Sequence, residues 1–272
     1  MEYSIQEILS FTFMQRALIV GIPIALCAAL LGVSLILKRY SMIGDGLSHV
    51  GFGALALAAA LNLAPLKAAI PIVIISAFLL LRISRSSKIN GDGAIAIVSS
   101  SALAIGIVVT SLTGGLNTDL YSYLFGSILA LSHSDVILSV ILCALVLFIY
   151  VFFYHKIFSI TFDESFSLAT GTNANIYNMI LALLTALTVV LGMQIMGTLL
   201  ISSLIIFPGL TAMRVFKSYR SVVCWAAVQS VVCVAVGLML SFYLETASGA
   251  TIVCVNLVFF MMFSIIGAFR RR

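Results

Sequence analysis

The chain alternates between long apolar runs and short polar joints, and the runs are longer than the helices of a soluble core need to be. Ala17–Leu37 contains no charged residue, and about 18 or more consecutive apolar residues suffice to cross a hydrocarbon core of roughly 30 Å as a helix. Reading the runs together with their breakers predicts nine crossings, at residues 14–37, 44–64, 66–83, 93–113, 134–155, 175–193, 195–214, 221–244 and 249–269. Two joints, Leu63 to Leu66 and Gly192 to Gly197, are so short that either flanking pair also reads as one kinked or re-entrant element, which lowers the count to eight. The expected fold is all-α, a polytopic transmembrane bundle of eight or nine helices forming a single membrane-embedded domain over residues 1–272. The aromatic-rich stretch between Asp119 and His133 is too short to span and reads as an interfacial or re-entrant helix. Pro208-Gly209 is expected to kink or break the seventh segment. Thr198, Ser202, Ser203 and Thr211 are placed to re-satisfy freed backbone groups, and such a break serves either a path or packing.

Composition agrees with lipid as the solvent. Apolar residues make up 62% of the chain and charged residues 8%, where a soluble domain carries roughly 25% charged residues. The basic residues sharpen the topology. Lys38/Arg39, Arg82/Arg85/Lys88, Lys156, Arg214/Lys217/Arg220 and Arg270–Arg272 all fall on one side if nine crossings alternate. Only Arg16 and Lys67 fall on the other. By the positive-inside rule the N-terminus is outside and the C-terminus cytoplasmic. This asymmetry accounts for the net charge of +5, so nucleic acid is not an expected partner. Glu2 and Glu7 stand where a cleaved signal would carry basic residues, which speaks against such a signal. The five cysteines lie inside apolar segments with no C-x-x-C pair, which points to neither a zinc ribbon nor a disulfide framework.

Candidate chemistry concentrates in Gly44-Asp45-Gly46-Leu47-Ser48-His49. Asp45 and His49 are spaced i, i+4 and so share one helix face. A carboxylate and an imidazole so placed suit one divalent cation such as zinc, manganese or iron, and an ionisable residue inside a membrane segment is a functional candidate by default. The same spacing also allows an Asp–His hydrogen bond that only orders the start of the helix, with Asp45 favoured there by the macrodipole. Two ligands do not complete a site. His133 and His155 sit at segment ends, where polar tips with apolar bodies snorkel. Asp119 and Glu245 read as loop charges near the outer face, or as attractors of cations.

No Gly-Lys dipeptide occurs, so the chain has no phosphate-binding P-loop of its own. Intramembrane charges are too few for a proton relay of the kind pumps use. Energy for active transport would enter through a partner. The longest cytoplasmic joint offers a docking element: Thr161 or Asp163 can cap a helix of about two turns. That helix presents Phe162, Phe166 and Ala169 on one face and ends at Gly171, ready to lie on lipid or in a groove of another protein.

Several ordered stretches resemble the ABC-3 family of metal importer permeases, over nearly the whole chain from Leu37 to Phe269. Lys38-Arg39 followed by Gly44-Asp45-Gly46-Leu47-Ser48-His49 is similar to the family's basic pair and G-D-x-[LV]-S-H. Tyr123-Leu124-Phe125-Gly126 resembles its [YS]-L-[LF]-F-G element, and Phe162 to Gly171 its coupling helix. Gly197-Thr198-Leu199-Leu200 through Pro208-Gly209-Leu210-Thr211-Ala212 resembles G-x-L-L…P-x-x-x-A. Ser241 to Glu245 with Ser248-Gly249 resembles S-x-x-x-D-x-P-x-G, although Glu245 stands for the usual Asp and Ala247 for the usual Pro.

The resemblance implies a permease subunit of a bacterial plasma-membrane importer, without its own ATPase site and with no permanently bound cofactor. Zinc is the expected cargo, with manganese or iron as alternatives. It implies a second permease copy, a pair of cytoplasmic ATPases and an extracellular metal-binding protein. Asp45 and His49 are the implied metal contacts. Phe162, Asp163, Glu164, Phe166, Ala169 and Gly171 form the implied coupling helix. In the nine-crossing topology Asp45 and His49 lie near the cytoplasmic end of their helix, and unwinding at Gly44–Gly46 would bring them deeper. Two other classes stay open: an ATP-independent secondary metal transporter, whose helix over residues 157–171 would rest on lipid, and an intramembrane metalloenzyme, which would need a third ligand and a catalytic base.

Overall fold

The computed structural model describes residues 5–86, 91–113 and 133–270, and these are helical with no strand among them. A short α1 (Ile5–Ser10) leads into α2 (Thr12–Leu37). Then follow α3 (Met42–Ala60), α4 (Pro65–Ser86) and α5 (Gly91–Leu112). After the undescribed stretch come α6 (His133–Phe152), α7 (Tyr154–Phe162) and α8 (Glu164–Ala169). The remaining elements are α9 (Ala174–Met196), α10 (Thr198–Val215), α11 (Tyr219–Tyr243) and α12 (Ser248–Arg270). Each of the nine predicted crossings is a helix. Eight are long and apolar enough to cross a membrane, and α10 contributes a shorter apolar stretch, Leu200–Val215. The interfacial helix expected between Asp119 and His133, the Tyr123–Gly126 element, Asp119 and Lys88 lie outside the described residues.

Both short joints separate two helices. α3 closes with Asn62 at φ 53°, where Leu63 N–H donates to Ala58 O at 2.9 Å and Asn62 N–H to Ala59 O at 3.1 Å. This is the paired closure of a Schellman motif, which ends a helix at a left-handed residue. Pro65 then opens α4, as suits a residue whose missing N–H would go unused there. α9 and α10 meet at Gly197, with φ 86° and ψ 161°, a conformation essentially confined to glycine. The chain doubles back at this point: a Cβ on Gly192 would collide with the side chain of Ile201. Pro208 does not break its helix, because α10 runs uninterrupted through it. The nearby hydroxyls fold onto their own helix, Thr211 donating to Phe207 O at 2.7 Å and Ser203 to Leu200 O at 2.8 Å.

Contact register gives each helix its direction. Gly46 abuts Ile95 and Gly53 abuts Ala102, so α3 and α5 run parallel. Gly32 abuts Ile205 and Gly209 abuts Ile36, so α2 and α10 do too. Phe207 faces Phe260 and Gly267 abuts Arg214, aligning α10 with α12. α11 opposes α2: Ser230 donates to Ala25 O at 2.9 Å while Tyr219 and Ser34 share a hydrogen bond of 2.8 Å. These pairings fit an alternating arrangement of the helices. They gather Lys38/Arg39, Arg82, Lys156 and Arg214/Lys217/Arg220 at one end of the bundle, hereafter the basic end, together with α7 and α8. Lys67 and Arg16 lie toward the other end, as charge alone predicts.

Small residues set how closely the helices approach. At Gly32 the backbone of α10 lies where a side chain would begin, the obstacle being the carbonyl oxygen of Ile205. Replacing Gly32 or Gly197 with Ala should each destabilise the fold by about 1–3 kcal/mol, the first by overpacking and the second by backbone strain. Thermal unfolding of the detergent-solubilised protein checks this. Ile141→Ala on the exposed face of α6 should shift the midpoint far less.

Candidate functional site

Asp45 lies in the first turn of α3 and His49 one turn further on. Their side chains face one another, with His49 Nε2 3.8 Å from Asp45 Oδ2, and remain 27% and 40% exposed respectively. That separation exceeds a hydrogen bond. A tetrahedral zinc with ligand bonds of about 2.0–2.2 Å holds its ligands roughly 3.3–3.6 Å apart, so a small side-chain rotation brings both groups onto one cation. The other imidazole nitrogen, Nδ1, is buried without a hydrogen-bond partner, which leaves Nε2 as the nitrogen turned to Asp45.

The residues around the pair explain its sequence. Gly44 packs against Ile205 of α10 and Gly46 against Ile95 of α5, so the start of α3 is wedged between two helices. A Cβ at either glycine would crowd the side chain of Ile205 or of Ile95. Ser48 is fully buried; its hydroxyl donates to Asp45 O at 2.7 Å and lies 3.4 Å from Ser202 Oγ of α10. The unwinding expected at Gly44–Gly46 is absent: the segment is regular helix from Met42 onward, and the glycines serve close approach instead. The pair therefore stays within the first two turns of α3, about 5–10 Å from its start, at the basic end. Among the described residues no three His, Cys, Asp or Glu side chains gather as a metal-binding group. His133 is exposed at the opposite end, and His155 packs edge-on against Tyr154 at 5.5 Å. Glu245 is exposed and closes α11 with φ 51°.

The expected docking element is two short helices and not one. α7 ends at Phe162, and Asp163 caps α8, its Oδ1 accepting from Phe166 N–H at 2.8 Å. The alternative cap, Thr161, is buried and donates back to Ile157 O at 2.6 Å. Gly171, at φ 82°, terminates α8, with Thr172 N–H donating to Ser167 O at 2.9 Å and Gly171 N–H to Leu168 O at 3.0 Å. Phe162 and Phe166 are 60% and 62% exposed, and Leu168 and Ala169 are exposed beside them.

Two anchors of this corner escaped sequence reasoning. Lys38, read as part of a basic cluster and of a family-like basic pair, has a side chain just 5% exposed, and its Nζ reaches Glu164 Oε2 at 3.1 Å and Ile160 O at 2.9 Å. Tyr219 packs against Phe158 and Phe162, with ring centroids 5.0 and 5.8 Å away. Its hydroxyl meets Ser34 at 2.8 Å and Tyr150 at 3.2 Å. Lys38 and Glu164 are 126 positions apart, and no local pattern reports such a pairing.

Comparison with known proteins agrees in length and shape. The chain is 32% identical to the high-affinity zinc uptake system membrane protein ZnuB of Haemophilus influenzae, over 93% of this chain and 97% of the relative. It is 30% identical to the manganese transport system membrane protein MntC of Halalkalibacterium halodurans, over 94% of this chain and 88% of the relative. The solved structure of PsaBC from Streptococcus pneumoniae in complex with Fab superimposes with a TM-score of 0.85 at 32% identity, covering 95% of this chain and 93% of that one. The family model of the ABC 3 transport family matches residues 10–267, and the chain belongs to that family.

Proposed function

We propose that this chain is the membrane permease of an ATP-driven importer that carries a divalent metal ion into a bacterial cell, with zinc as the cargo and manganese as the nearest alternative. The observation that supports it most is the near full-length likeness to the zinc-uptake membrane protein, to which the facing Asp45 and His49 add a chemical reason. A carboxylate and an imidazole accept zinc, manganese or iron, so the pair alone does not choose among them. Zinc ranks first because Gly44-Asp45-Gly46-Leu47-Ser48-His49 most resembles the zinc-type members.

In this reading the basic end faces the cytoplasm and the opposite end receives metal from an extracellular binding protein. Two copies of the chain pair in the membrane. The exposed Phe162, Phe166, Leu168 and Ala169 of α7 and α8 seat on a cytoplasmic ATPase pair, an amphipathic helix fitting a groove. Asp45 and His49 hold the cation transiently near the inner face and release it as ATP-driven movement re-tilts the helices.

Reconstituted with its ATPase and binding protein in proteoliposomes, the wild-type chain should take up radiolabelled zinc when ATP is supplied. Asp45→Ala and His49→Ala should each lower that uptake by about tenfold or more, since even the outer-shell partners of metal ligands are worth about 10–100-fold, while the ATPase still co-purifies. Uptake unchanged in both variants would reduce the pair to structural residues. Phe166→Asp should weaken ATPase association about 30-fold, the cost of about 2 kcal/mol typical of a central aromatic anchor. Equilibrium binding of the ATPase to the solubilised variant measures it.

A further inference from the structure

We propose that Lys38 is a positioning residue that transmits movement of the docking corner into the helix bearing Asp45 and His49; this rests on the permease reading above. A lysine at the end of a membrane helix ordinarily extends its ammonium into water. Lys38 does not, because its side chain is almost wholly buried while Glu164 remains partly exposed. Its ammonium occupies the junction of α7 and α8. It donates to Ile160 O, a carbonyl in the last turn of α7, at 2.9 Å, and pairs with Glu164, the first residue of α8, at 3.1 Å. A cation at one helix C-terminus and an acid at the next N-terminus both match the macrodipoles. One side chain thus holds both short helices against the end of α2.

From Lys38 the chain reaches Asp45 through hydrogen-bonded turns. Arg39 takes φ 61°, with Tyr40 N–H donating to Leu35 O at 2.8 Å and Arg39 N–H to Ile36 O at 3.0 Å. This Schellman closure leaves little slack. Ile43 N–H then donates to Tyr40 O at 3.0 Å, which joins the turn to the first turn of α3. Ser34 lies one turn before Lys38 on the same face of α2 and bonds Tyr219 at 2.8 Å; Phe162 rests on that ring at 5.8 Å. The corner therefore grips the end of α2 at two points, one ionic and one aromatic. Displacement of α8 by a partner must either break these contacts or move Lys38, the turn and Asp45 together.

The test uses the full complex in proteoliposomes and measures zinc uptake and ATP hydrolysis side by side, repeated with manganese. Lys38→Met keeps the length and apolar packing but removes the charge and both donations. It should lower uptake by about tenfold while hydrolysis stays within about twofold, a coupling of the size that interacting residues show. The number of ATP molecules consumed per metal therefore rises. Glu164→Gln, at the partly exposed partner, should raise the same ratio less, and Lys38→Arg should restore most of it. A purely structural role would lower uptake and hydrolysis together and leave the ratio unchanged, which overturns the proposal. Should Lys38→Met fail to assemble, an unchanged ratio in Glu164→Gln overturns it and a raised one upholds it. A wild-type complex without ATP-dependent uptake overturns the permease reading, and this proposal with it.

Discussion

Inside hydrocarbon a backbone amide has no water to bond, so every N–H and C=O must be satisfied within its own helix or by a neighbour. That constraint decides where this chain is allowed to turn. Helices end where the chain turns, and several of these ends are closed by residues in unusual backbone conformations: Arg39, Asn62 and Glu245 with positive φ, and glycines at 171 and 197. At Arg39, Asn62 and Gly171 the residue's own amide and the next one return to carbonyls of the helix just ended. Loops can then be very short, and α9 passes into α10 through one residue.

With turns confined to the ends, packing along the helices is left to side-chain size. Lipid tails are as apolar as leucine, so helices associate by close contact and hydrogen bonding and not by hydrophobic exclusion. Gly32, Gly44, Gly46 and Gly53 each receive a neighbouring helix where a side chain would stand. The glycines on either side of Asp45 thereby let the start of α3 pack against α10 and α5.

Charge is handled by segregation, with Lys38 as the instructive exception. Most basic side chains sit at the basic end where water reaches them, which costs nothing in desolvation. Lys38 is buried, and a buried ammonium is stable only when its hydrogen bonds are made by the protein. Glu164 and the carbonyl of Ile160 supply them. The same contacts that make burial tolerable also join α7 and α8 to the end of α2, so the electrostatic requirement and the packing of this corner are one arrangement.

The helical segments were legible in the sequence because a membrane imposes a length and a polarity on each crossing, and both are local properties of the chain. Asp45 and His49 were legible as a facing pair for a similar reason: spacing of four on a helix fixes a shared side. Asp163 and Gly171 were legible as the start and stop of a short helix because caps act on their own turn. Tertiary structure alone decided the rest. Pro208 left α10 unbroken and Gly197 took the reversal, since a proline is tolerated where neighbours satisfy the backbone, whereas φ 86° with ψ 161° admits only glycine. Gly44 and Gly46 proved to be contact surfaces and not points of unwinding, which depends on α10 and α5 arriving from elsewhere in the chain. Lys38 and Glu164, Ser34 and Tyr219 meet across long stretches of sequence, and such meetings are products of helix packing that no local periodicity encodes.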